Sequence, residues 1–158
     1  MSNADSSGSV RVLGLLVIIA GAILAVAGVV TYATVSNKLS DQQITVADDA
    51  AHFSGEHVDQ PWEAYAQANV IAKHANKIGG GKTYAELPED DPNRTTVMTA
   101  SFLQASLFTS VLAFGVAAMA VGLGIVFILI GVALRRAAKK SAPPLAPAPT
   151  ASSEGSSS

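Results

Sequence analysis

Three histidines, His52, His57 and His74, are the only imidazoles in the chain, and acids cluster near the first two: Asp48, Asp49, Glu56 and Asp59. Two imidazoles and a carboxylate make a common donor set for divalent metals. The spacing works against such a site. His52 and His57 are five residues apart, which on a helix places them about 140° from each other. No H-E-x-x-H or H-x-E pattern occurs. Hydrated surface histidines are the reading this spacing favours. A metal-binding or enzymatic head using His52, His57, His74 and the nearby acids is the alternative. Gly81-Lys82-Thr83 looks like the end of a phosphate-binding loop, but the full motif needs a glycine where Asn76 stands and a strand before it. A helix stop followed by a helix start accounts for it better, and no nucleotide is expected. Glu89-Asp90-Asp91, between Pro88 and Pro92, reads as a solvated turn. Asn93-Arg94-Thr95 is formally a glycosylation sequon.

The other pattern is one of small residues. Gly14, Gly21 and Gly28 recur every seven positions; Gly115 and Gly122 repeat that spacing, as do Gly124 and Gly131. Glycines in register let apolar helices approach closely, and a seven-residue repeat favours a left-handed crossing near about +20°. These seven are the candidate helix-packing residues, serving contacts within the chain, between copies, or to a partner.

The elements that carry them are set by charge. Of 158 residues only 14% are charged, against roughly 25% in soluble domains. The net charge of −2 argues against a nucleic-acid binder. The absence of cysteine removes disulfides, thiolate metal sites and thiol nucleophiles. Residues 12–37 are uncharged, and the apolar stretch 12–32 would make a helix of about 32 Å, enough for a hydrocarbon core of about 30 Å. A second uncharged run, 95–134, divides by composition. Residues 95–110 hold eight Ser, Thr or Gln, and 111–134 hold no polar side chain. The expected spans are 12–34 and 109–134. A cleaved signal peptide is the rival for the first, since Ala25-Val26-Ala27 has the form of a cleavage site. The apolar run continues to Tyr32, beyond the length of a signal core.

Arg11 precedes the first span, and Arg135, Arg136, Lys139 and Lys140 follow the second, whereas residues 36–94 carry ten acids and five bases. Basic flanks belong on the cytoplasmic side, so both termini are expected inside and the intervening segment outside. Residues 1–11 are expected to be a disordered cytoplasmic start. Residues 135–158 read as a basic, then Pro/Ala/Ser-rich disordered tail with one P-x-x-P at Pro144 and Pro147. Within the segment 35–108, Pro61 opens a helix that Gly79-Gly80-Gly81 ends. Thr83 and Glu86 have capping-box spacing. Asp91, with Pro92 at the first helical position, is expected to start the stalk of the second span. Tyr32, Val35, Leu39 and Val46, and likewise Met98, Phe102, Ala105 and Leu112, fall near helical spacing. Trp62, Tyr65, Val70 and Ile71 are expected to pack on Met98, Phe102 and Leu103.

Four blocks, ITVADDA (44–50), AYAQANVIAKHA (64–75), GGKTYAEL (80–87) and TVMTASFLQASLFTSVLAFGVA (96–117), resemble a group of small actinobacterial membrane proteins that carry the label "aromatic ring-opening dioxygenase LigA". The resemblance spans roughly residues 12–135. It implies a two-span plasma-membrane protein, not the enzyme of the label, since no iron-ligand pattern of such enzymes maps onto these positions. The expected fold is all-α: a two-helix transmembrane hairpin with extended helical stalks and a small, mostly helical extracytoplasmic head. The expected role is that of a non-enzymatic structural or accessory subunit with no cofactor, whose partners are the lipid bilayer and another membrane protein or a second copy of itself. A pore is disfavoured, because neither apolar stretch holds an ionisable group.

Overall fold

The computed structural model describes residues 3–140, with side chains from Gly8 to Lys139. The expected low-complexity tail and its P-x-x-P lie outside the described residues. The described chain is all-α: α1 (Asn3–Ser40), α2 (Pro61–Ile78), a single 3₁₀ turn (Tyr84–Glu86) and α3 (Arg94–Lys140). Helix α1, expected to follow a disordered start, already begins at Asn3, and α3 runs on through the basic residues to Lys140. With 38 and 47 residues, these helices are about 57 and 70 Å long. Both are long and apolar enough to cross a membrane, and only 17% of the most apolar window of each is buried. Ile23 is 66% exposed and Leu129 63%. The apolar surface of these helices is mostly turned away from the rest of the chain.

What joins α1 to α3 is a seam of small residues. A Cβ built on Gly14 would lie 2.9 Å from the Gly131 carbonyl oxygen, one on Gly21 2.6 Å from that of Gly124, and one on Gly28 2.7 Å from that of Ala117. As numbers on one helix rise by seven, those on the other fall by seven, the register of an antiparallel pair with a heptad seam. Ala138 continues the stripe on α3 and is buried. Gly115 and Gly122 take no part in the seam within this chain: a Cβ on either meets nothing within 4 Å. They occupy the far side of α3, because the seam face is already set by Ala117, Gly124, Gly131 and Ala138.

Beyond the glycines the seam residues grow. Tyr32, Val35 and Leu39 on α1 meet Phe114 and Leu107 on α3, with the Tyr32 and Phe114 rings 4.7 Å apart. The wider separation admits α2, which docks through Ala64 and Ala68, both fully buried. Helix α2 starts level with Tyr32, whose hydroxyl donates to Gln60 Oε1 at 2.7 Å. From there it runs antiparallel to α3: Tyr65 lies against Phe108, Ile71 shares a cavity with Leu103 and Leu107, and Ala75 one with Val97 and Ser101. The end of α2 nearest the apolar stretch of α3 is therefore its N-terminus.

Three local features differ from expectation. The Asp91 carboxylate accepts from the amide of Asn93 at 2.8 Å. That closes a turn two residues on, so Pro92 stays in the turn and α3 starts at Arg94. The Arg94 guanidinium lies 4.4 Å from the centre of the Tyr84 ring and donates to the carbonyls of Tyr84 and Leu87. Val46 lies past the end of α1, yet is buried beside Val58. The two are held by a short cross-link, Val46 N to Glu56 O and Val58 N to Ile44 O, both 2.9 Å. Finally, Trp62, Tyr65, Phe102 and Leu103, expected to form the head's packing, are all exposed. Alanines face the stalks because they allow close approach of α2; Val70 is buried and Ile71 packs on the core as expected, while Trp62 and Tyr65 are left exposed.

Candidate binding groove on the head

The exposed aromatics of α2 line a groove. A cavity of about 600 Å³ runs between α2 and residues 49–53, floored by Pro61, Trp62, Tyr65, Ala66, Asn69 and Val70, roofed by Ala51, His52 and Phe53, and closed at one end by Lys73 and Asp49. That volume is in the range of small-molecule sites. The floor residues recur at helical spacing because they share one face of α2.

Several contacts fix the walls. Glu63 is buried, and its carboxylate accepts from the amides of Gln60 at 2.8 Å and Asp59 at 3.2 Å and from Trp62 Nε1 at 2.8 Å. One carboxylate thus caps α2 and pins the indole at the lower mouth of the groove. Opposite, Phe53 adopts φ 62°, a left-handed conformation that is strained for a bulky residue. The segment holding it is closed by Glu56 N donating to Phe53 O and Ser54 Oγ to Asp48 O. At the polar end, Asp49 Oδ2 receives His74 Nε2 at 2.9 Å and Lys73 Nζ at 3.2 Å. These hydrogen bonds, His74's before Lys73's, hold the Asp49 carboxyl below its ordinary value.

The three histidines are dispersed. His74 pairs with Asp49, His52 lies beside the Phe53 ring in the groove roof, and His57 bridges to Thr45. Among the described residues no three His, Cys, Asp or Glu side chains are grouped to hold a metal ion. The amides of the glycine-lysine-threonine stretch are engaged locally. Gly79 donates to Ala75, Gly80 to Lys77, Gly81 to Asn76 and Lys82 to Gly79. Thr83 N and Oγ1 both donate to Glu86 Oε2 at 2.8 Å, which holds the Glu86 carboxyl below its ordinary value. No amide of this stretch is left pointing at a phosphate position.

Sequence reasoning treated Trp62 and Tyr65 as core and did not find the groove. The signal it passed over is the alanine pair Ala64 and Ala68, which marks the docking face of α2 and so leaves Trp62 and Asn69 exposed and Tyr65 at the edge of the contact, against Phe108. Comparison with known protein families, with curated proteins and with solved structures found no match to this chain.

Proposed function

We propose that this chain is a two-span plasma-membrane hairpin with both termini cytoplasmic, a non-enzymatic accessory protein that presents a small binding head at the outer membrane surface. The observation that carries this reading is the glycine seam between two long helices whose other faces are apolar and bare. In water such faces are a liability; in lipid they are the expected surface, and small residues are what membrane helices use to pack. The seam also favours retention of α1 over its removal as a signal peptide, since Gly14, Gly21 and Gly28 are the α1 side of the close contact with α3. The basic flanks supply the orientation. The resemblance of four sequence blocks to small actinobacterial two-span proteins is in keeping with the same class. The groove favours binding over catalysis: it offers apolar surface, and the charges at its end are spent on one another.

Single cysteines at positions 7, 54 and 152 of this cysteine-free chain test the topology with an impermeant thiol reagent on intact cells. Labelling at 54 alone is expected; labelling at 152 overturns the orientation. For the accessory role, Gly21→Leu should abolish co-purification with any membrane partner, while His52→Ala, His57→Ala and His74→Ala leave it unchanged. The reverse pattern restores the metal-site alternative.

A further inference from the structure

We propose that the groove on α2 holds one acyl chain of a lipid from the surrounding bilayer, the chain lying along Trp62, Tyr65 and Val70 with the lipid's polar end beside Lys73 and Asp49. The proposal rests on the two-span reading above. Three observations carry it. The groove begins where the apolar surface of the hairpin ends: Gln60, at the start of α2, is bonded to Tyr32, Tyr32 stacks on Phe114, and Tyr65 lies 5.8 Å from Phe108. Whatever solvates Leu112, 68% exposed and one helical turn from Phe108, therefore meets the lower mouth of the groove directly, and on the two-span reading that solvent is lipid. Trp62 is half exposed at this mouth with its indole N–H already satisfied by Glu63. An indole whose polar edge is bonded and whose rings are bare belongs at an apolar–aqueous boundary. The acid and the lysine of the groove also lie together at one end, with Asn69 in the floor and His52 in the roof among its other polar side chains. From Trp62 to Lys73 is about 17 Å along the helix axis, apolar for most of that length and ending in an ammonium, a carboxylate and an imidazole. That is the polarity of a lipid, with the chain end toward the membrane.

Trp62 is the only tryptophan of the chain, so its fluorescence reports the groove without engineering. The full chain, purified in detergent, is titrated with phosphatidylcholine brominated on its acyl chains. Quenching of Trp62 should saturate at one lipid per chain, and Asn69→Phe, an exposed floor residue changed to fill the groove, should remove the saturable part. Ala51→Leu narrows the groove from the roof and should do the same, which guards against a folding defect in the first variant. Quenching that rises linearly with lipid, unchanged by both substitutions, means contact with surrounding lipid only and overturns the proposal. Failure of the groove leaves the cysteine-labelling pattern intact, whereas failure of the two-span reading shows in that pattern first.

Discussion

Gly21→Ala tests the seam at its middle pair, Gly21 and Gly124. The added methyl would sit 2.6 Å from the Gly124 carbonyl oxygen, 2.9 Å from Ile128 N and 2.9 Å from Phe127 Cβ. Two of these are backbone atoms in the middle of a continuous helix, so no rotamer change relieves the contact. Ordinary contact begins at 3.4 Å, so the helices must separate locally by about 0.8 Å. Small-to-large changes in packed interiors cost about 1–3 kcal/mol. Here the separation also opens gaps beside Ala25 and Ile128, which lose dispersion contacts, so the upper half of that range is expected. Gly122→Ala is the matched control. Its methyl meets nothing within 4 Å, so it should cost nothing and can gain up to about 1 kcal/mol from helix propensity. The assay is the unfolding free energy of the hairpin in bicelles, read by a cysteine cross-link between α1 and α3. Equal losses for the two alanines would mean that the seam does not hold the hairpin together.

Glu63→Ala removes the acceptor for the amides of Asp59 and Gln60 and for the Trp62 indole. Stranding partly buried donors costs about 1–3 kcal/mol. Faster amide exchange in the first turn of α2, together with a Trp62 emission shift, would register it. Asp49 is expected to titrate below 3.8. Because the fold lowers its affinity for protons, the contribution of its contacts is complete above that ordinary value and is lost as pH falls through the lowered one. A carboxyl-carbon NMR titration should show this, and His74→Gln, which weakens the principal hydrogen bond, should move the midpoint back toward 3.8.

Composition revealed the long elements and hid the faces. An uncharged run interrupted by Ser, Thr and Gln can be divided by inspection, and Pro61 and Gly79-Gly80-Gly81 punctuate α2 where the structure begins and ends it. Which stripe of α3 meets α1 was harder, since Gly115/Gly122 and Gly124/Gly131 have the same spacing. The deciding information lies in the alanines: Ala117 and Ala138 extend the second pair to four positions over three heptads, and glycine alone does not show it. The head was misjudged for a related reason. Size suggested that Trp62 and Phe102 are core, yet close docking of a short helix selects alanine at the contact. The groove itself depends on residues 49–53 folding back over α2, held by the Val46–Glu56 and Ile44–Val58 hydrogen bonds. Such pairings between distant residues leave no periodic trace.

The seam has a mechanical consequence. Residue size rises along it, from glycine pairs at one end to Tyr32, Phe114 and Leu107 beneath the head, so the two long helices form a wedge rather than two independent rods. A single span relieves mismatch with a thicker or thinner bilayer by tilting alone. Here neither helix can tilt without its partner, because their backbones touch, and α2 is bonded to the pair at the wide end of the wedge. Adjustment to bilayer thickness must therefore rotate the whole body. On the two-span reading, the mouth of the groove then rises from or sinks toward the lipid surface as membrane thickness changes.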